Sequence, residues 1–479
     1  MKTCLLFASL FISFSLTAQS VDVSNGLRLP NKTNKFKIVG KNNDGIILRL
    51  YGLEDVIDVF DESFRLVTTR TLDFKNESGL LQYIMLNKSG AVIFYLSQDK
   101  KFSVLLAQPV NSKFIEIGKP IVIDTIFDKR DMVAANLRFK PSVDQSYLMA
   151  YYPFFNGTTI QSFKFICLDR SLHLLYDKTV PANRPEKELE ESKPLVDNNG
   201  NSFLILHPES AAAASTVFDV LHISSTGDYS TYNVVTQKAL FAEPMFDFDN
   251  KNGNLVMSGF YNDNKEVEDV ANGFIYSSFD PVSGKVISAT YTQFSKDFIA
   301  ELTNRPNNDK AKLYTFSIRK DVLRNDGGLL IVAESFIKDS KEVPISLGFQ
   351  PGFNNYRTST VYQFNDIITF SIDAKANLDW FSIMRKKQAS EDDNGLYSSF
   401  LMMNEKDKLR LIYLDDVSTS GILNEYVLTS DGKNTRSAII NQEDKDLMLL
   451  PKLGRQISPN QVVIPSYMNG NLKLAKITF

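Results

Sequence analysis

Few residues in this chain are suited to chemistry, and their spacing does not bring them together. There are three histidines, His173, His207 and His222, two cysteines, Cys4 and Cys167, and one tryptophan, Trp380. A metal site needs imidazole, thiolate or carboxylate ligands at matched spacing. Each histidine instead lies in a strand-like run without Cys, Asp or Glu at such intervals, so structural or surface roles are expected. Cys167 sits in SFKFICLDRS, an alternating run in which a buried, inert thiol is expected. The acidic stretch Asp263, Glu266, Glu268 and Asp269 offers oxygen ligands for Ca²⁺ but lacks the central Gly and terminal Glu of an EF-hand loop. It reads as a solvated turn.

The common catalytic signatures are missing as well. There is no G-x-S-x-G elbow, no H-E-x-x-H and no Walker loop. Ser371 and Asp373 fit the start of a sialidase-type Asp-box, S-x-D-x-G-x-T-W, but Lys375 replaces the Gly and Trp380 falls two places late. Glycoside hydrolysis needs two carboxylates at a set separation, and among 56 acidic residues the sequence singles out no such pair. No catalytic residue, metal or cofactor is expected, and the chain reads as non-enzymatic.

Two stretches have the composition of contact surfaces. Leu378 to Ser399, LDWFSIMRKKQASEDDNGLYSS, gives Trp380, Arg385, Lys387, Gln388 and Tyr397 as candidate interface residues. Trp, Tyr and Arg are the usual anchors of protein interfaces. The competing reading is a strand, a cationic exit and an acidic connector, with Trp380 bracing two structural units. Residues 338 to 358, KDSKEVPISLGFQPGFNNYRT, carry Phe349, Phe353 and Tyr356 on a long insertion. Exposed aromatics there would form a contact patch; packing back onto the body of the protein is the alternative.

The elements that must position these residues are strands. The chain has 35 Phe and 19 Tyr, with Val, Ile and Thr around them, a composition suited to pleated, half-buried surfaces. Alternating runs interrupted by Asp, Asn, Ser or Gly recur throughout, as in VIDVFDESFRLVTTRTL, FKFICLDRSLHLLYDKTV and ITFSIDAKANLDWFSIM, and each reads as a hairpin. The first turn residues, Asp61, Asn111, Asp169, Ser224, Asp280, Asp373 and Ser430, are spaced by 50, 58, 55, 56, 93 and 57 residues. A near-constant period signals stacked repeats. A second set of turns at 42–45, 87–90, 197–200, 250–253, 324–328 and 404–407 lies between them, giving four strands per repeat. That is the make-up of a β-propeller blade.

The expected fold is therefore all-β, a single propeller of about eight four-stranded blades, with seven as the alternative. The eighth would be closed by pairing the C-terminal strands, around Met448–Lys452, Gln461–Tyr467 and Leu472–Phe479, with a strand near Val21–Leu29. Departures from the repeat are expected at 181–194, at 295–310, where Ser295–Asn304 has helical spacing before Pro306, and at 338–358.

Charge and leader narrow the setting. With 53 Lys+Arg against 56 Asp+Glu and no basic run longer than Arg385-Lys386-Lys387, nucleic-acid binding is not expected. Residues 1–18 have one cation, an apolar run and small residues before Gln19, the pattern of a cleaved secretory signal peptide, leaving 19–479 as the propeller domain. Cys4 lies inside the apolar run, so no lipid anchor is expected, and no later segment has the length of a transmembrane helix.

The segments GFYNDN (259–264), NDGGLLIVAES (325–335) and DWFSIMRKKQASEDDNGLYSSF (379–400) resemble a group of uncharacterised exported β-propeller proteins of Bacteroidota, with a W…I..K.Q…G.Y.S pattern after a hairpin. Trp380, Lys387, Gln388, Tyr397 and Ser399 match that pattern. The resemblance implies a fold and a periplasmic location, not an activity. In that compartment the expected partner is an outer-membrane or periplasmic protein, and one specific candidate role is the plug of the type 9 secretion translocon. The other reading is a glycan-binding propeller or glycoside hydrolase acting on exported polysaccharide.

Overall fold

Strands apolar on both faces need a neighbour on each side, and that requirement builds the molecule. The computed structural model describes residues 19–29, 35–51, 55–72, 80–99, 102–128, 130–189, 192–207, 216–262, 271–304, 316–344 and 356–479. They form eight antiparallel sheets, each an up-and-down run of four principal strands, matching a β-propeller arrangement. Sheet 1 holds Phe36–Asn42, Gly45–Leu50, Asp55–Phe60 and Leu66–Leu72. Sheets 2 to 7 repeat the pattern from first strands Leu80–Leu86, Arg138–Pro141, Lys193–Val196, Ala239–Asp249, Phe316–Leu323 and Phe400–Asn404. First strands of several successive sheets lie against one another, including that of sheet 8 against that of sheet 1.

Sheet 8 is made from both ends of the chain. Arg455–Ser458, Gln461–Met468 and Asn471–Thr478 pair in order, and Ser20–Val23 adds the fourth strand along the last of them, with Val21 opposite Ile477. The first strand differs from the sequence expectation of Met448–Lys452. Pro451–Leu453 is a 3₁₀ turn, because proline has no N–H for a ladder, and the strand starts at Arg455.

Eight apolar clusters lie between the sheets, one for each neighbouring pair. Ile47 packs toward sheet 2 beside Ile93, while Ile46 and Leu48, one residue to either side, pack toward sheet 8 beside Leu472 and Leu474. The pleat sends successive side chains to opposite faces, so a strand buried on both faces reads as a continuous apolar run. Burying each large apolar side chain contributes roughly 1.5–3 kcal/mol.

The turns share one face. Asn43 N donates to Lys88 O at 3.0 Å between sheets 1 and 2, Asn198 N to Asn250 Oδ1 at 2.6 Å between sheets 4 and 5, and Asn404 N to Gln456 Oε1 at 3.0 Å between sheets 7 and 8. In the outer turns the first residue caps the reversal: Asp61 Oδ1 accepts from Ser63 N and Arg65 N, and Asp373 Oδ1 from Lys375 N and Asn377 N. Three residues on, the backbone is left-handed at Phe64, Phe114, Leu172, Gly227, Ala376 and Gly432. In sheet 7 the equivalent first residue is Thr429, whose N–H bonds Lys433 O, one place before the Ser430 marked in the sequence.

The departures from the repeat lie at sheet connections on the other face or close by. The 181–194 segment is mostly regular: Leu174–Pro185 is one strand, a 3₁₀ turn buries Glu188 and Leu189, and Lys193 opens the next strand. Lys296–Thr303 is the expected helix, here α2 after α1 at Arg130–Asn136. Its Ser295 cap accepts from Phe298 N, and Asn304 ends it in the left-handed region. Among the described residues no helix is long and apolar enough to cross a membrane.

Candidate interaction site on the sixth sheet

The 93-residue spacing read from the sequence becomes an arm on sheet 6. Its middle strands are the longest described, Leu329–Pro344 and Tyr356–Ile372, and stay paired out to Pro344 opposite Tyr356. Gln388–Glu391 joins as an extra strand, with Gln388 opposite Phe364 and Glu391 opposite Val361. Phe349 and Phe353 lie outside the described residues, and Tyr356 opens the second arm strand.

A buried polar network fixes the arm to sheets 6 and 7. Lys386 and Glu334 have fully buried side chains and form an ion pair at 2.7 Å. Lys386 Nζ also donates to Phe364 O at 2.9 Å and Gln388 Oε1 at 2.8 Å. Burial pushes the Lys386 ammonium pKa down, and Glu334 opposes that shift. Glu334 Oε2 accepts from Ser399 Oγ at 2.7 Å and Arg319 Nε at 3.2 Å, whereas Oε1 has the ionic contact without a well-angled hydrogen bond. Gln388 Nε2 reaches Leu414 O in sheet 7 at 2.7 Å, and its Oε1 accepts from Ser399 N at 2.8 Å. Ser399 holds a left-handed φ of 75°, a conformation that persists only where surrounding contacts over-determine it.

Aromatic rings complete the junction. Phe336 and Phe364 pack with centroids 4.7 Å apart, and Arg319 lies over both at 5.5 and 5.6 Å. Lys452 donates to Gly395 O at 2.7 Å, and Tyr397 Oη to Tyr467 O at 3.2 Å, so the connector is held to sheet 8 as well. Outward from here the surface is charged: Lys338, Asp339, Lys341, Glu342, Arg357 and Glu391 are exposed, and Lys341 pairs with Glu391.

The residues singled out in the sequence separate into two groups. Gln388 is buried inside the network, which sets aside its reading as a contact residue. Lys387 is exposed. Arg385 is partly exposed, pairs with Asp366 at 2.6 Å and donates to the carbonyls of Glu301 and Leu302, closing the C-terminal end of α2. Lys386, Glu334 and Arg319 were missed. Strand parity was the available signal: Met384, Lys386 and Gln388 are buried, while Arg385, Lys387 and Ala389 are not.

Trp380 lies on the turn face. Its Nε1 donates to Ser430 O at 3.0 Å, and its ring covers Gly432, where an added Cβ would sit 2.6 Å from Cδ2. Tyr232 Oη bonds Pro281 O at 2.8 Å and its ring covers Gly284 in the same manner; Tyr176 lies against Gly227. The aromatic therefore recurs as a brace onto the next sheet's turn. Trp380 also lines a cleft of about 560 Å³ between sheets 6 and 7, with Leu330, Leu409 and Leu428. Trp380→Phe should lose about 1 kcal/mol, the one hydrogen bond, and Gly432→Ala should lose more, since φ is +84° there. Urea unfolding of both variants checks the order.

The remaining reactive groups stay apart. Cys167 is fully buried, and burial raises its thiol to about 12. His173 pairs with Asp169 in an exposed turn, His207 follows a strand of sheet 4, and His222 is buried against Phe203. Asp263, Glu266, Glu268 and Asp269 lie outside the described residues, and among those described no three His, Cys, Asp or Glu converge on a metal position.

No protein-family model matches the sequence, and no curated protein does. Solved structures align with it at low similarity. The WD40 domain of SCAP from fission yeast aligns over 96% of this chain and 94% of its own length, at 10% identity and TM-score 0.44. The polysaccharide lyase Uly1 covers 83% and 89%, at 9% identity and TM-score 0.39. An acylaminoacyl peptidase of Pyrococcus horikoshii covers 94% and 58%, at 10% identity and TM-score 0.35. These values carry nothing about activity or ligand.

Proposed function

We propose that this chain is a non-enzymatic interaction subunit, exported to the periplasm, that engages a protein partner of the outer membrane through the face bearing the sheet 6 arm. The reading takes the eight sheets as eight blades of a closed ring, with Ser20–Val23 as the closing strand. The observation that carries it is the arm: paired to Pro344 and Tyr356, backed by a third strand and fixed by a fully buried ion pair. A pre-ordered projection loses little freedom on docking, which favours recognition. Its exposed Lys, Arg, Asp and Glu side chains suit a polar partner surface. In its specific form, the proposal makes the chain the plug of the type 9 secretion translocon, resting on expected compartment, size and a broad stiff shape.

The test is photo-crosslinking in intact envelopes from Lys341 on the arm and, as a control, Lys113 in an outer turn of the opposite face. Crosslinks to an outer-membrane protein from position 341 alone are expected, and replacing 339–358 by a short Gly-containing turn should abolish co-purification while the far-ultraviolet spectrum stays β-type. Unchanged co-purification by the armless chain overturns the proposal.

A further inference from the structure

A separate feature lies in the ring itself: a cavity of about 490 Å³ running along the first strands of sheets 8, 1 and 2 and reaching the turns of sheet 3. Its size is that of a small-ligand pocket. Its cations are Lys37, Lys41, Arg49, Lys88, Arg170 and Arg455, and no described carboxylate lines it. The whole chain has a net charge of −3, so this concentration runs against its overall balance.

Two of the six are answered from outside the cavity. Arg49 pairs with Asp55 at 2.7 Å and Lys41 with Glu62 at 2.6 Å. Among the described residues no carboxylate pairs with Lys37 or Arg455. They stand on the adjoining first strands of sheets 1 and 8, and Lys37 is held below its ordinary pKa by desolvation and then by the Arg455 charge. Arg455 makes a 3.3 Å hydrogen bond to Ile38 O. Elsewhere among the first strands the charges compensate: Asp247 of sheet 5 feels both Lys140 of sheet 3 and Lys320 of sheet 6. Like charges gathered beside one another without counter-charge raise the energy of the free protein and attract anions.

The rest of the lining indicates which anions. Tyr83 and Tyr147 offer flat amphipathic faces, Tyr83 being fixed by stacking on Phe139 at 5.2 Å between centroids, while the Tyr51 ring carries Arg49 over one face at 4.1 Å. Gln82, Gln145 and Gln456 supply paired donors and acceptors that suit hydroxyl groups. A lone phosphate would call for a compact cradle, whereas these cations are distributed along several elements. We infer that the cavity binds an acidic oligosaccharide, a chain of sugars bearing carboxylates, with Lys37 and Arg455 meeting the anionic groups and the tyrosines and glutamines meeting ring faces and hydroxyls. The inference does not depend on the arm or its partner.

Calorimetric titration of the full mature chain with tetragalacturonate, maltotetraose and inorganic phosphate tests it. Tetragalacturonate should bind at low salt, more weakly as salt rises, with at least tenfold loss in Lys37→Gln and in Arg455→Gln. Maltotetraose should bind at least tenfold more weakly than the acid. Both variants should melt close to the wild type, since each side chain is exposed to the cavity; if either fails to fold, Lys88→Gln on the exposed turn replaces it. Equal binding of maltotetraose, no binding of tetragalacturonate, phosphate binding as tight as the tetramer, or acid binding unaffected by folded variants would each overturn the inference.

Discussion

Lys386→Met is expected to destabilise the protein by about 3 kcal/mol, because it takes from the buried Glu334 carboxylate its fully buried ionic partner and leaves only the longer, partly exposed Arg319 pair at 3.2 Å. Arg319 and Ser399 still serve Oε2, but Oε1 is left with nothing, and Phe364 O and Gln388 Oε1 each lose a donor. Removing both charges is a different matter. Glu334→Gln with Lys386→Met should recover more than half of the loss, since no charge is left fully buried: Arg319 loses its carboxylate but is partly exposed to solvent. Urea midpoints at constant slope measure both. A single variant within 1 kcal/mol of wild type would mean that water reaches the pair and that the arm is not anchored through it. The double variant also serves the functional proposal, because it loosens the arm base without altering its exposed surface.

Asp321 should make the protein less stable as pH rises from about 4 to 7. Its side chain is buried in sheet 6, Oδ2 accepts from Ser258 Oγ at 2.5 Å, and Oδ1 has no hydrogen-bond partner among the described residues. Burial raises its carboxyl to about 7, opposed chiefly by the Ser258 hydrogen bond, with the Asp247 charge adding to the rise and Lys320 opposing it least. Below the ordinary value of 3.8 both folded and unfolded chains hold the proton, and the group has no pH effect. Between 3.8 and about 7 the folded chain keeps a proton that the unfolded chain has released, so stability falls with pH. Above about 7 the loss is complete, and at 1.36 kcal/mol per unit it is on the order of 4 kcal/mol. Asp247 is also raised by burial and adds in the same direction, while carboxylates held low, such as Asp431 at about 2, act oppositely and only in stronger acid. Asp321→Asn should therefore be more stable than wild type at pH 8 and equal to it near pH 4, its amide donating to Ser258 Oγ. Thermal melts of both chains across this range decide it; parallel curves would show that Asp321 is hydrated.

Sheets and turns could be read locally because their causes are local. Period-two apolar runs make strands, Asp and Asn close reversals on their own backbone, and a tight turn tolerates Phe64 or Ala376 in a left-handed conformation once its cap is in place. The helix at Lys296–Thr303 was visible from Ser295 and its spacing for the same reason. Local signals are ambiguous near the last sheet: Met448–Lys452 is apolar enough for a strand, but Pro451 turns the chain and the strand begins at Arg455.

The sequence by itself determined that this protein is built of repeated four-stranded sheets, with strand parity separating what faces inward from what faces out. Only the tertiary structure decided that Lys386, in the middle of a three-cation run, meets Glu334 in the interior, and that Lys37 and Arg455, from opposite ends of the chain, share one cavity. Alternation tells a residue which side of its own sheet it occupies; the identity of the group opposite depends on how the sheets are joined, and no short window of sequence contains that.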